Sequence, residues 1–164
     1  MRGYFGIGIY RCKTPHNVGT LWRSANSLGA DFIFTIGERF PERARVNPFH
    51  ACKEMKQSSD TLKTPRHIPW LNFDSVQALR DAMPATSLVA VELDERAVPL
   101  AAFSHPARAV YLLGAEDHGV PQKDLALCDR IVQLPGTHCL NVSTAGTVAM
   151  YDRVAKASSA RSTA

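Results

Sequence analysis

Several polar residues lie near the end of the sequence, where a loop is followed by the start of a helix. Pro135 and Gly136 predict a turn, and Asn141 and Ser143 precede apolar residues that recur at helical spacing. The first turn of a helix has free backbone N–H groups that can bind a small polar ligand. An ordinary capped helix explains the same residues, because asparagine and serine are common N-cap residues.

Two earlier stretches contain further candidates for a site. Residues 17–25 predict an amphipathic helix, and Arg23 lies beside its apolar face, where it can point towards a substrate. Residues 113–121 follow a predicted strand and contain Gly114 and Glu116, a glycine that permits close approach of a ligand and a carboxylate that can accept hydrogen bonds. A surface arginine and a turn acid are the structural alternatives.

In their order and internal spacing, these three stretches resemble the three motifs of the SpoU/TrmH-type RNA 2′-O-ribose methyltransferases of the SPOUT superfamily. The resemblance covers the chain to about Lys156. It implies transfer of a methyl group from S-adenosylmethionine to a ribose 2′-hydroxyl of tRNA or rRNA, without a metal. It also implies a homodimer whose two subunits complete the active site, and a deep C-terminal trefoil knot that forms the cofactor pocket.

The resemblance also implies roles for individual residues. Arg23, Glu116 and Asn141 match the catalytic positions, and Asn17 and Arg23 match substrate-binding positions. The matches to the cofactor site are Val91, Glu92, Gly114, Ala115, Leu134, Cys139 and Leu140.

Two features depart from the family pattern or from its usual mechanism. Cys139 stands where the family usually has serine, and the loop before it is short. The family mechanism uses the arginine to activate the hydroxyl, but a guanidinium is a poor base, so Arg23 is at least as well suited to bind a phosphate. Glu116 could orient Arg23 or anchor a loop.

The remaining sequence predicts an α/β fold in which a mostly parallel sheet is covered on both faces, with a ligand site at the carboxyl ends of the strands. We assign residues 1–156 to one domain and residues 157–164 to a frayed tail. The predicted strands are 4–10, 31–36, 65–70, 87–93, 109–113 and 130–134. The predicted helices are 17–28, 74–83 with Asp74 as its cap, 121–127 and the C-terminal helix.

The charge of the chain favours a polyanionic partner without demanding one. The formal net charge is +4, and the region 37–64, with a possible short helix over 50–56, is predicted to be a functional loop. The basic residues clustered in and around it are Arg39, Arg43, Arg45, Lys53, Lys56, Lys63 and Arg66. A solvated polar face explains this cluster about equally well.

The four cysteines form no C-x-x-C pair, and no apolar run is long enough to span a membrane, so we expect a cytoplasmic protein without a metal site.

Three alternatives remain. The same fold could methylate a base, or bind RNA without activity. A hydrolase that uses His138 and Cys139 is disfavoured, because adjacent side chains seldom converge on one substrate atom and no Gly-x-Ser-x-Gly motif is present. Binding of S-adenosylmethionine would separate a methyltransferase from an inactive RNA-binding protein.

Overall fold

The computed structural model describes residues 3–39, 67–136 and 138–162. The expectations for the basic loop and its short helix therefore lie almost wholly outside the described residues. The strands are β1 (Tyr4–Tyr10), β2 (Phe32–Ile36), β3 (Trp70–Phe73), β4 (Ser87–Val91), β5 (Val98–Pro99), β6 (Arg108–Leu113) and β7 (Arg130–Gln133). The helices are α1 (Pro15–Ser27), α2 (Val76–Ala82), α3 (Gln122–Leu125) and α4 (Val142–Ser162), with a 3₁₀ turn at Leu100–Ala102.

The strands form one parallel sheet in the order β3-β2-β1-β6-β4-β7-β5. In β1, Ile7 and Ile9 point to the face covered by α1 and α4. Gly6 and Gly8 alternate with them and leave room on the other face for the rings of Phe32 and Phe34. Helices α2 and α3 cover that second face. The predicted α/β sheet with helices on both faces is confirmed.

Two element boundaries were wrong. The strand predicted over 65–70 instead begins at Trp70, because Pro69 has no N–H for the ladder and contributes only its carbonyl, which accepts a hydrogen bond from Ile33 N at 2.9 Å. Helix α2 is capped by Ser75 and not by Asp74, since Ser75 Oγ accepts the Ala78 N–H at 3.1 Å.

Other boundaries differ at the ends of elements. The strand β4 ends at Val91, two residues earlier than predicted, so that Glu92 lies in the loop after it. The two-residue β5 and the 3₁₀ turn were not predicted, because segments this short have no readable periodicity. Helix α4 continues to Ser162, through much of the tail expected from 157 onward. Within the described residues, no helix is long and apolar enough to cross a membrane.

The first half of α4 packs closely against α1 and the sheet. A Cβ added at Gly146 would lie 2.6 Å from Leu21 Cδ1 and 2.8 Å from Leu113 Cδ1. The absence of a side chain at this position therefore allows α4 to approach the sheet as closely as it does.

The second half of α4 is held by a buried polar cluster that we call the His105 latch. His105 Nε2 lies 2.8 Å from Asp152 Oδ2 and Nδ1 lies 2.6 Å from the Tyr111 hydroxyl. A carboxylate only accepts, so Nε2 carries the proton and the Tyr111 hydroxyl donates to Nδ1. Arg153 Nη1 donates to Pro106 O at 2.7 Å and Lys156 Nζ to Leu100 O at 2.6 Å.

We predict that the His105 latch weakens in mild acid. Burial lowers the pKa of His105 more than its hydrogen bond to Asp152 raises it. The unfolded chain, with a histidine pKa of about 6.5, then takes up a proton before the folded chain does, so stability is lost as pH falls from about 7 to about 5. Denaturant unfolding should show a smaller loss over this range for His105→Gln. His16→Gln, an exposed histidine on α1 outside the latch, is the control; equal slopes in all three proteins would refute the assignment.

Candidate active site

The loops that follow β4, β6 and β7 meet around a cavity of about 430 Å³. These loops share one edge of the sheet because the carboxyl ends of parallel strands all lie on the same side. All seven residues assigned to the cofactor line this cavity, and so do two of the three catalytic candidates: Val91, Glu92, Gly114, Ala115, Glu116, Leu134, Cys139, Leu140 and Asn141. The structure thus brings together residues that are far apart in the sequence, while their roles stay predictions.

One wall of the cavity is a glycine turn packed against the carboxylate of Glu92. A Cβ added at Gly114 would lie 2.2 Å from Glu92 Oε2 and 2.7 Å from Gly119 Cα, and Gly119 has φ +61°. Glu92 Oε2 accepts the Val120 N–H at 2.9 Å. A side chain at position 114 would therefore displace the carboxylate or the turn.

The carboxylate of Glu116 anchors the loop between β1 and α1. It accepts the backbone N–H groups of Lys13 at 3.2 Å and Thr14 at 3.3 Å, and the side-chain Nδ2 of Asn17 at 2.8 Å. Burial raises the pKa of Glu116, but these hydrogen bonds and its own backbone N–H outweigh burial and lower it overall. Glu116 is thus a fixed anion at neutral pH, which matches the loop-anchoring role of the two considered.

Asn17 joins Glu116 to the start of α4. Its side chain is buried, and its Oδ1 accepts Nδ2 of Asn141 at 3.1 Å. Asn141 Oδ1 in turn accepts the Ser143 N–H at 2.9 Å and the Ser143 hydroxyl at 2.6 Å, so Asn141 caps α4. The capping interpretation of Asn141 is thus confirmed, and because the same residue lines the cavity, its role in a site stays a prediction. A single hydrogen-bonded relay, Glu116–Asn17–Asn141, connects the three sequence stretches.

Arg23 is placed differently. It is partly buried on α1 beside Trp22, whose indole N–H donates to Ile68 O at 3.1 Å and whose ring stacks edge-on against Trp70. Among the described residues, those that line the cavity do not include Arg23 or Asn17. The cavity of one chain therefore contains two of the three catalytic candidates.

Comparisons with known proteins place the chain in a family. The sequence profile described as the SpoU rRNA Methylase family matches residues 5–151. The chain belongs to this family. It is 26% identical over 149 residues to the 23S rRNA (guanosine-2'-O-)-methyltransferase RlmB of Acinetobacter baylyi, covering 89% of this chain and 57% of that protein. It is 26% identical over 141 residues to the tRNA (guanosine(18)-2'-O)-methyltransferase of Escherichia coli K12, covering 84% and 57%.

The same architecture occurs in a solved structure. The SpoU methyltransferase AviRb from Streptomyces viridochromogenes, in complex with the cofactor AdoMet, superposes with a TM-score of 0.74 at 24% identity, over 97% of this chain and 62% of that one. This likeness shows the fold. The chain spans just over half the length of the two curated relatives, at 57% of each.

In this SpoU family member, an ion pair that the sequence did not predict joins the segment after β2 to the loop after β6. Arg39 donates to both carboxylate oxygens of Asp117, at 2.9 and 2.7 Å, and its Nε donates to Arg11 O at 2.9 Å. Arg39 holds the pKa of Asp117 well below its usual range. The sequence had placed Arg39 in a basic cluster, whereas its charge is balanced by Asp117. The available signal for this pair was a second acid, Asp117, directly after Glu116. Because adjacent side chains point in different directions, Asp117 needs a partner other than the groups bound by Glu116.

We predict that Cys139 is the fast-reacting thiol of a Cys52→Ser protein. It is exposed at the cavity, whereas burial raises the pKa of Cys12 and of Cys128 to about 12. A thiolate is the reactive form, so the buried Cys12 should react only on unfolding and the half-buried Cys128 should react slowly. Labelling with a disulfide reagent at pH 8 should show one fast thiol, and a Cys139→Ser change should abolish that phase. A fast phase that survives this change would contradict the placement of the loop.

Proposed function

We propose that this chain is an S-adenosylmethionine-dependent RNA methyltransferase that methylates a ribose 2′-hydroxyl of tRNA or rRNA in the cytoplasm. The observation that carries the proposal is the cavity at the carboxyl edge of the sheet, where the three sequence stretches are joined by the Glu116–Asn17–Asn141 relay. The names of its relatives, which act on 23S rRNA and on tRNA, support the same reaction class.

The residues of the cavity fit an S-adenosylmethionine molecule. The volume of about 430 Å³ is in the usual range for small-molecule sites, and Gly114 lets the turn at 114–119 pack directly on Glu92, so that backbone as well as side chain lines the cavity. Glu92 and the backbone of residues 114–115, 134 and 139–140 would hold the molecule. When bound, it supplies the activated methyl group. No group of three or more His, Cys, Asp or Glu side chains that could hold a metal ion is found within the described ranges.

Arg23 would then act on the RNA. Methylation of a hydroxyl requires the oxygen to be held in line with the methyl group and its proton to be removed. A guanidinium gives up its own proton too reluctantly to act as a base, but its planar set of donors suits a phosphate. We assign to Arg23 the binding of an RNA phosphate next to the reacting ribose.

A homodimer would complete the site, because Arg23 does not line the cavity of its own chain. Exposed apolar side chains support such an interface: Leu93 and Leu140 at the cavity and Tyr151 on α4 are 60%, 48% and 64% exposed. We further propose that α4 lies in the trefoil knot of the SPOUT fold, a proposal supported by the membership of the chain in the SpoU family.

The first prediction from this proposed function is metal-independent binding of S-adenosylmethionine. Calorimetry should give the same affinity with and without a chelator. Gly114→Ala should lower the affinity about tenfold or more, equivalent to ~1.4 kcal/mol, because its Cβ displaces Glu92 or the turn. Gly29→Ala is the control, because Gly29 lies outside the cavity and its Cβ meets no atom within 4 Å, although its φ of +76° makes the change costly to stability. Loss of binding on chelation, or an unaffected Gly114→Ala protein, would overturn the assignment.

The second prediction concerns Arg23. Arg23→Ala should leave folding and cofactor affinity nearly intact and lower methyl transfer about 100-fold or more, as the loss of a donor at a reacting centre does. Arg23→Lys keeps the charge but loses the planar fork, so it should recover only part of the rate. Single-turnover methylation beside cofactor titration gives both quantities. A near wild-type rate for the alanine variant would remove Arg23 from the site; failure to fold would make it structural.

The third prediction is a stable homodimer. Sedimentation at micromolar concentration should give about twice 18.0 kDa. Tyr151→Glu should weaken the association if α4 lies in the interface. An active monomer would exclude a shared site.

Identification of the methylated atom tests the alternative functions directly. A methylated base, or cofactor binding without transfer, would replace the ribose assignment.

A further inference from the structure

We propose that the Glu116–Asn17–Asn141 relay has a single polarity, imposed by Glu116, so that Asn141 presents an N–H donor and not a carbonyl acceptor to the cavity. The ligand group opposite Asn141 is then an oxygen acceptor. This inference deepens the proposed function and rests on it for the identity of the ligand. The polarity itself follows from the contacts of the free chain.

The first step concerns Glu116 and Asn17. Glu116 receives the backbone N–H groups of Lys13 and Thr14, which can only donate, so both of its oxygens act as acceptors. The Asn17 atom 2.8 Å from Glu116 Oε1 must therefore be the amide nitrogen. An oxygen in that place would face a carboxylate oxygen with no proton between them.

The second step passes this orientation to Asn141. With its nitrogen towards Glu116, Asn17 turns its oxygen towards Asn141, and the Asn141 atom 3.1 Å away must be a nitrogen. Asn17 is only 5% exposed, so water has little access to satisfy a flipped amide. A wrong orientation would leave buried polar groups unpaired.

The other end of the relay requires the same polarity independently. The second side-chain atom of Asn141 lies 2.9 Å from the backbone N of Ser143, which can only donate, so this atom is the oxygen. The Ser143 hydroxyl, 2.6 Å away, also donates to it. Amide orientations are normally chosen from such networks, and here the anion at one end and the helix N–H at the other agree.

The consequence is a specific chemical property of the cavity wall. Both lone pairs of Asn141 Oδ1 are used by Ser143, and one hydrogen of Nδ2 is used by Asn17. Within the described ranges, the second hydrogen of Nδ2 has no protein acceptor, and Asn141 is exposed and lines the cavity. Asn141 therefore cannot take the proton of the reacting hydroxyl. It can bind the carboxylate of the cofactor or an oxygen of the RNA.

Reversing the relay by substitution tests the polarity without any ligand. Asn141→Asp places a second acceptor opposite Asn17 Oδ1 and should destabilise the fold. In Glu116→Gln/Asn141→Asp, the introduced glutamine can donate to Asn17, which can then flip and donate to the introduced aspartate. The glutamine nitrogen then also faces the Thr14 N–H that Glu116 Oε1 accepts, so Glu116→Gln carries a cost of its own. We expect the folded state of the double variant to be about tenfold more favoured than the sum of the two single losses predicts, a coupling typical of contacting residues. Asn26→Asp, on α1 outside the relay, is the control and should not couple to Glu116→Gln.

Methyl transfer separates this polarity from a purely structural role. The double variant regains the relay but turns an acceptor towards the cavity, so its transfer rate should stay well below that of Glu116→Gln alone although part of its stability returns. Additive losses of stability would overturn the relay. Recovery of the rate together with stability would overturn the need for a donor. If Asn141→Asp does not fold at all, the double variant alone is the test. A double variant that folds supports the polarity, and one that does not fold opposes it.

Two cofactor fragments identify the acceptor. If the Asn141 donor meets the amino-acid carboxylate, Asn141→Asp and the double variant should lose affinity for S-adenosylhomocysteine but not for 5′-methylthioadenosine, which lacks that carboxylate. If the donor meets an RNA oxygen, both affinities should persist while transfer falls. Equal losses for both compounds would indicate a distorted cavity and overturn the donor assignment. Absence of S-adenosylhomocysteine binding to the wild-type protein would refute the proposed function while leaving the stability experiment intact.

Discussion

The arrangement of the site depends on the anchored carboxylate of Glu116. A parallel sheet brings the carboxyl ends of its strands to one edge, but the loops that leave this edge need contacts of their own to hold fixed positions. Glu116 supplies them by accepting two backbone N–H groups from the segment that leads into α1 and one side-chain amide from the first turn of α1 itself. Because a charged acceptor forms stronger hydrogen bonds than a neutral one, a single side chain can fix three groups.

Much of this arrangement could be predicted from sequence. The strand β1 was predicted at its observed bounds, because a buried parallel strand is a continuous apolar run. The residues of the cavity were predicted from motif resemblance, since each motif follows a strand and the strands determine where the loops meet. These successes share one cause: the information is local, in a short run or a spaced motif.

The errors and omissions are contacts between distant segments. Asn17 and Asn141 are 124 positions apart, and their hydrogen bond exists only because the sheet order places the loops after β1 and β7 on the same side. The Arg39–Asp117 pair, 78 positions apart, could not be read from a run of basic residues, which resembles a solvated surface. The capping error at Asp74 has a smaller cause, because two adjacent residues were both suitable caps and only the backbone geometry chooses Ser75.

Helix α4 connects the site to the opposite edge of the sheet. Its first residues are capped by Asn141 at the cavity, and Asp152, eleven positions later and about 16 Å along the axis, belongs to the His105 latch. Between them Gly146 packs directly on the sheet and on α1. A helix held at its first turn, at Gly146 and at its midpoint has little freedom to slide or rotate. The direction of the Asn141 amide is therefore maintained by the Glu116 relay on one side and by the packing of the first half of α4 on the other.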